Sequence, residues 1–304
     1  MPRPIVVIHK GNPDYLKFVL LKAREFNPLS PILLLGNEDN ACLTEVVPKL
    51  EHETICINGD AKKLEETYHH RSELSYGFEL FCFQRWILLR DAMKQRGWDR
   101  CLHLDSDVLL FSDISESGKR FDPFVMTLTD WCNQWHRMGH TNFINGMDVM
   151  NEFCDFLLEL FSSKECAEQL DYIAANSEYP NISDMTALGL FRLKSPQRFA
   201  DFSEIVDNEA FDVSCHTISG GYKPMFLHRL LKKKQKDFQF RNGIPYCRNL
   251  EKSIDVRFHS IHFHGPTKYL IKYYYPGKPI RIFGKMLLER WLVKIKAELF
   301  RSSR

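Results

Sequence analysis

The chain has 304 residues, 44% of them hydrophobic and 13% aromatic, enough to bury a large core as one big α/β domain or two smaller ones. A net charge of +2 gives no global preference for nucleic acid, although Lys232-Lys233-Lys234 with Lys236 and the C-terminal tail gather positive charge locally. No uncharged apolar run approaches the ~20 residues needed to cross a bilayer, and the start, Met1-Pro2-Arg3-Pro4-Ile5-Val6-Val7-Ile8, is too short for a signal peptide and reads as a first strand. The nine cysteines are odd in number and lack any Cys-x-x-Cys spacing, which argues against a disulfide framework and a zinc knuckle. A reducing, cytoplasmic setting is the expectation.

In chain order, residues 5–9 are predicted as a strand, 14–26 as an amphipathic helix after Asn12-Pro13-Asp14, and 32–35 as a second strand, a βαβ opening. A long helix over residues 74–96 carries Phe78, Phe81, Trp86, Leu89 and Met93 at helical spacing and is stopped by Arg96-Gly97. It feeds the most informative stretch: Cys101-Leu102-His103-Leu104 runs into Asp105-Ser106-Asp107 and then into Val108-Leu109-Leu110-Phe111. Apolar residues on both sides of the strand predict coverage on both faces, and ligands of such sheets sit beyond the carboxyl ends of strands. Two carboxylates at that end suit a divalent cation with hard oxygen ligands, Mg²⁺ or Mn²⁺; an Asp-rich turn without a metal is the plain alternative.

Further along, residues 124–128 are predicted as a short strand, 151–162 as a helix, and 184–190 as the start of another after the cap-like Asn181-Ile182-Ser183. Residues 257–264 read as a late strand whose His259, His262 and His264 share a face. A glycine three residues after His262 permits close backbone approach, and Lys268 suits phosphate oxygens. A final helix over residues 283–300 places Leu287, Leu288, Trp291, Leu292, Ile295 and Leu299 on one broad face among basic residues, a pattern for packing on the domain or for lying on an anionic membrane. No internal repeat, low-complexity linker or domain boundary stands out.

Asp105-Ser106-Asp107 after a strand, followed far downstream by His262-Phe263-His264-Gly265-Pro266-Thr267-Lys268, resembles the nucleotide-sugar transferases of the GT-A fold. The likeness is to glycosyltransferase family 8, the group of glycogenin and the lipopolysaccharide galactosyltransferases, with its His-Phe-x-Gly-x-x-Lys pattern. The resemblance implies an α/β, Rossmann-like domain over residues 1–275, with a mixed central sheet and helices on both faces, and a separate C-terminal basic amphipathic helix over 276–304. It implies Mn²⁺ (or Mg²⁺) held by Asp105, Asp107 and His262, and a UDP-sugar donor whose diphosphate meets Gly265 and Lys268. Asp105, Arg85 and His9 would also serve the donor. Asn145, counted with these donor residues for a sugar contact, lies in a segment similar to the family's Phe-Asn-x-Gly-Val, one residue later than the family's asparagine, where Ile144 stands. Asp184 matches an Asp-Gln pair of which Met185 replaces the amide, and Tyr269-Leu270 replace a Pro-Trp.

Transfer from a nucleoside diphosphate sugar needs stabilised negative charge on the leaving group and a carboxylate at the sugar. Asp184 is the first candidate for that carboxylate and Asp130 the second; each has an ordinary alternative as a helix or turn charge. The expected activity is transfer of a hexose to a glycan or lipid-linked acceptor, retention being implied by the resemblance. The expected setting is cytoplasmic, with the last helix offering peripheral contact at the inner face of a membrane and no nucleic acid as partner. Competing readings are a degenerate sugar-nucleotide or glycan-binding protein and a nucleotidyltransferase of related fold. A haloacid-dehalogenase-type phosphatase fits poorly, since Leu109 stands where its pattern wants Thr or Val.

Overall fold

The computed structural model describes residues 2–130, 133–225 and 235–277, in two compact units, Met1–Glu204 and Ile205–Arg304. The expected helix over 276–304, from residue 278 onward, and the Lys232-Lys233-Lys234 run lie outside the described residues. No composition shift marks the step from one unit to the next.

The first unit is built on β1 (Ile5–Ile8), α1 (Leu16–Phe26) and β2 (Ile32–Gly36), the expected βαβ opening. The strands pair in parallel, Ile5 opposite Ile32 and Ile8 opposite Leu35, a direction that needs a crossover such as α1. β3 (Leu50–Thr54) adds in parallel to β2. Its sequence, Leu-Glu-His-Glu-Thr, is polar because it closes the sheet, and no apolar period announces it. After α2 (Gly59–Thr67), α3 (Tyr76–Arg96) crosses back. It ends at Gly97, whose φ of 63° is the left-handed C-terminal cap that glycine adopts without a side-chain penalty. β4 (Cys101–Leu104) then lies parallel to β1 and is buried along its whole length.

A turn leads from β4 to β5 (Val108–Leu110), and a short helical turn α4 (Ile114–Ser117) follows. β6 (Met126–Asp130), β7 (Arg137–Met138) and β8 (Thr141–Ile144) come next. β8 is antiparallel to β4 and to β6, which makes the sheet mixed, as expected. The order is β3-β2-β1-β4-β8-β6-β7, with β9 (Phe199–Asp201) joined to β6. α5 (Met147–Ser162), α6 (Lys164–Asn176) and α7 (Asp184–Lys194) complete the unit. Val6, Ile8, Leu33 and Leu35 form one core with α3, α5 and α7, while Ile5, Val7, Ile32 and Leu34 are equally buried and point oppositely. α1 packs on β2 and on β5. Trp86, Phe83 and Phe153 have no exposed surface, and burying each such ring is worth about 1.5–3 kcal/mol. Phe78, by contrast, is exposed.

The topology gives the sheet one functional edge. β1, β2, β3 and β4 run in one direction, and β6, twice reversed through β8, runs with them. His9, Asn37 and Asp105 therefore follow carboxyl ends, and Asp130 ends β6, on the same edge, where α/β sheets take their ligands.

The second unit holds a four-stranded sheet, ordered β10 (Glu209–Ala210), β13 (Ile254–Phe258), β12 (Ile244–Asn249), β11 (Gln239–Arg241). β11 and β12 form a hairpin over Asn242-Gly243, both at positive φ (51° and 80°), the turn chemistry of two-residue hairpins. The expected strand over 257–264 is broken. β13 stops at Phe258 and β14 covers only Ser260–His262. The break falls at His259, a bend whose N–H still donates to the Ala210 carbonyl (2.9 Å); at the end of β14 the Asp212 carboxylate accepts the His262 N–H at 3.1 Å. The three histidines do not all share a face: His259 turns to Glu209 (Nε2 to Oε2, 3.0 Å), while the His262 and His264 rings lie near each other, with centres 5.8 Å apart.

Candidate active site

β4 carries its buried Cys-Leu-His-Leu to the edge and releases Asp105 into a turn closed by Val108 N–H donating to the Asp105 carbonyl (3.2 Å). The Asp105 N–H donates to the His140 carbonyl (2.9 Å), which fixes where the strand ends. Asp107, two residues on, is buried. Across from it, Arg85 on α3 divides its guanidinium: Nη1 lies 2.7 Å from Asp105 Oδ1 and Nη2 lies 2.7 Å from Asp184 Oδ2. The planar fork of arginine suits this geometry, and a lysine would not reproduce it. Trp86, the next residue on the helix, donates its Nε1–H to the same Asp184 oxygen at 3.0 Å.

Asp184 is the first residue of α7, where a carboxylate also meets the positive end of the helix. The Ser183 N–H bonds Thr186 Oγ1 (3.2 Å) at this terminus. Three separate elements, α3, the β4 turn and α7, are thus locked to each other through one cation. Burial alone would lower the Arg85 pKa, but Asp105 and Asp184 together push it above the ordinary value.

Two titratable groups surround this triad. Glu79, six residues before Arg85 on the same helix, is buried, accepts from Ser72 Oγ at Oε1 (3.3 Å) and has no hydrogen-bond partner at Oε2. Burial, and then the charge of Asp184, raise its pKa to about 7. His103 on β4 is fully enclosed, 3.4 Å from Asn142 Oδ1 and 3.8 Å from Asp105 Oδ1. Burial, and then Arg85, lower it to about 4, so the ring is neutral at physiological pH.

The neighbouring strand ends form a stiff polar rim. Asn40 donates its amide to the His9 and Gly11 carbonyls (2.8 and 2.9 Å) and accepts at Oδ1 from the Asn37 N–H (3.1 Å). The His52 ring nitrogen Nε2 is 2.9 Å from the same oxygen. Gly36 is required by this approach, since a Cβ there would sit 2.0 Å from Asn40 Oδ1. His9 itself meets Tyr15 edge-on, with ring centres 6.4 Å apart.

The remaining expected residues divide. Asp130 is the last residue of β6 on the same edge, with Arg137 Nε at 2.9 Å and Arg192 Nη1 at 3.5 Å, and its side chain is 67% exposed. Asn145 is at the other end of the sheet, beyond the Cys101–Ile144 pair. There Oδ1 accepts from Arg3 (2.7 Å), and Nδ2 donates to the Phe121 and Phe124 carbonyls (2.8 Å each). The amide expected at the donor instead braces the β1 entry, because the antiparallel run of β8 carries Asn145 away from Asp105.

In the second unit, Gly265 opens a 3₁₀ segment, Gly265–Leu270, that also contains Lys268. Its φ is +56°, and the space where a Cβ would stand is open. His262 is buried, and its Nδ1 lies 2.7 Å from the Val213 carbonyl. A carbonyl only accepts, so Nδ1 carries a proton, and in the neutral ring the lone pair is then on Nε2. That orientation through the second nitrogen is usual for a metal-ligating imidazole. Among the described residues no three His, Cys, Asp or Glu side chains are gathered as a metal cluster. Taken one by one, the donor types suit the implied cation: two carboxylates in one turn of the first unit, and an imidazole in the second.

Several participants carry no motif in the sequence. Trp86 reads as a core aromatic, and Glu79, His103 and Asn40 as isolated polar residues; only their fixed partners reveal them.

No protein-family model matches the chain. No curated protein matches it either. Among solved structures it is similar to mouse xyloside xylosyltransferase 1 in its apo form, with 11% identity and a TM-score of 0.48 over 69% of this chain and 88% of that one. It is also similar to the galactosyltransferase LgtC in complex with donor and acceptor sugar analogues, with 10% identity and a TM-score of 0.47 over 93% and 99% of the two chains. A third is the glycosyltransferase GlyE of Streptococcus pneumoniae TIGR4, at 14% identity and a TM-score of 0.39 over 67% and 46%. Likeness at this level defines neither family nor activity.

Proposed function

We propose that the protein is a metal-dependent GT-A glycosyltransferase that moves a hexose from a UDP-sugar to a glycan or lipid-linked acceptor with retention of configuration. The observation that carries this reading is the Arg85 fork, which ties the first aspartate of the Asp-x-Asp turn to a buried carboxylate at a helix start on the ligand-binding edge of the sheet. The His262 to Lys268 motif, with its left-handed glycine, supplies what a diphosphate requires.

In this reading Asp105, Asp107 and His262 hold Mn²⁺ or Mg²⁺, which when bound supplies positive charge for the departing diphosphate. The Gly265 backbone and the Lys268 ammonium meet the diphosphate oxygens, and the rim carrying His9 receives the nucleoside. Asp184, held from moving by Arg85 and Trp86, serves the sugar as the carboxylate that shields or attacks the anomeric carbon. It is preferred over Asp130, which is exposed and engaged by two arginines. No helix among the described residues is long and apolar enough to cross a membrane. The basic segment over residues 283–300 would bring the enzyme to an anionic, cytoplasmic membrane face.

The metal assignment is tested by Asp107→Ala and His262→Ala. Each should abolish metal-dependent release of UDP from a UDP-sugar while circular dichroism stays that of the parent. Unchanged turnover in either variant would remove that residue from the metal site.

A further inference from the structure

Within the second unit, Asp212 and Lys236 form an ion pair in which both side chains are essentially without solvent. Such a pair adds little stability over an apolar replacement, and breaking it by removing one partner costs far more. Its surroundings indicate a positional task. Asp212 Oδ2 accepts the His262 N–H (3.1 Å), and the Asp212 N–H donates to Ser260 Oγ (3.3 Å). The next residue, Val213, presents its carbonyl to His262 Nδ1 at 2.7 Å. Cys215 N–H then donates to the His262 carbonyl at 2.8 Å. Segment 212–215 therefore grips His262 at its N–H, its carbonyl and one ring nitrogen.

Lys236 in turn grips the segment. Besides Asp212, its Nζ donates to the Ser214 carbonyl (2.9 Å), its backbone N–H donates to the Cys215 carbonyl (2.8 Å), and its ammonium sits 4.9 Å from the centre of the Tyr222 ring. Without Lys236, the Asp212 carboxylate would be a buried charge facing a backbone N–H alone, and the segment would have to shift to let water in.

We propose that Lys236 and Asp212 are positioning residues that hold the 212–215 segment so that the Val213 carbonyl fixes the His262 ring with its proton on Nδ1 and its lone pair on Nε2. The consequence for metal affinity rests on the reading of His262 as a ligand; the tautomer does not.

The experiment uses the full chain without metal, with ¹⁵N-labelled histidine, and reads the His262 tautomer by NMR at pH 8. The parent should show one tautomer, protonated at Nδ1. Lys236→Met should mix the tautomers, and Lys236→Arg should restore the single form. If Lys236→Met fails to fold, the double variant Lys236→Met/Asp212→Leu removes both charges at once and keeps the core dry; it too should mix the tautomers. An unchanged single tautomer in either the single or the double variant would overturn the proposal. Calorimetric titration with Mn²⁺ alone gives the second readout: affinity should fall about 10–100-fold in the same variants, the usual cost of losing an outer partner of a metal ligand. A mixed tautomer with unchanged Mn²⁺ affinity, in this variant and in His262→Ala, would support the positioning role and contradict the ligand role of His262.

Discussion

At Asp184 the chain turns an ordinary helix start into a fixed carboxylate. The oxygen that bonds Trp86 also receives Arg85, and the other arm of that arginine reaches Asp105. Asp130, the alternative, pairs with two arginines but remains largely in water, where such pairs are worth little. The two carboxylates should separate clearly on substitution. Asp184→Asn is expected to lower the rate of UDP-sugar turnover by about 10²–10³-fold, the range for losing one preorganised electrostatic group, while Asp130→Asn stays within a few-fold of the parent. Initial rates under saturating donor check this, and equal losses in the two variants would withdraw Asp184's special role. Much of this site was legible at the residue level. Around Arg85, Asp105 stands in a spaced motif, and Arg85 and Asp184 follow from the resemblance; the structure brings these three together. Asn145 was misleading because sequence position cannot tell which end of an antiparallel strand a residue occupies, and its amide is committed to Arg3 and two carbonyls.

Elements with a strong apolar period announce themselves: β1, α1, β2, α3 and β4 all fall within a few residues of expectation. β8 does not, for its Thr141 and Asn142 are polar yet fully buried; Asn142 Nδ2 donates to the Thr127 carbonyl at 2.6 Å. The break between β13 and β14 was hidden as well, since it is a one-residue bend at His259 inside an otherwise continuous apolar and histidine run. The loop that follows β2 is held by a glycine that no motif marks. Gly36→Ala would drive a methyl into the Asn40 amide, and overpacking of this kind costs about 1–3 kcal/mol. The expected outcome is a lower urea midpoint together with weaker binding of UDP, because Asn40 also ties the His9 and Gly11 carbonyls. A variant with the parent's stability and UDP affinity would show that the loop tolerates the displacement.

For the whole molecule, the α/β class and the mixed sheet with helices on both faces follow from the order of elements and from the resemblance. The division after Glu204 did not, because no linker composition accompanies it. Stability as a function of pH is also a property of the whole, and here two buried groups oppose each other. Glu79, raised from 4.5 to about 7, is protonated more readily in the folded state. Its contribution is fully present below about pH 4.5 and is lost as pH rises through about 7. His103, lowered from 6.5 to about 4, prefers to be neutral when folded. Its contribution is present above about pH 6.5 and is lost as pH falls toward about 4. Each amounts to about 3 kcal/mol, so the two slopes largely cancel between pH 4.5 and 6.5. Glu79→Gln should uncover the His103 slope: its urea midpoint should rise from pH 5 to pH 7 more steeply than the parent's. A variant that follows the parent at both pH values would contradict the buried, protonated Glu79.

The most direct measurement is release of UDP from a panel of UDP-sugars by the purified full chain, with Mn²⁺ and then with excess chelator, in the presence of a mixed glycan acceptor pool. Metal-dependent glycosyl transfer at the Asp105 edge requires that at least one donor be consumed with Mn²⁺ and that the release stop when the chelator is added. No release from any donor, or release that persists in chelator, would contradict it.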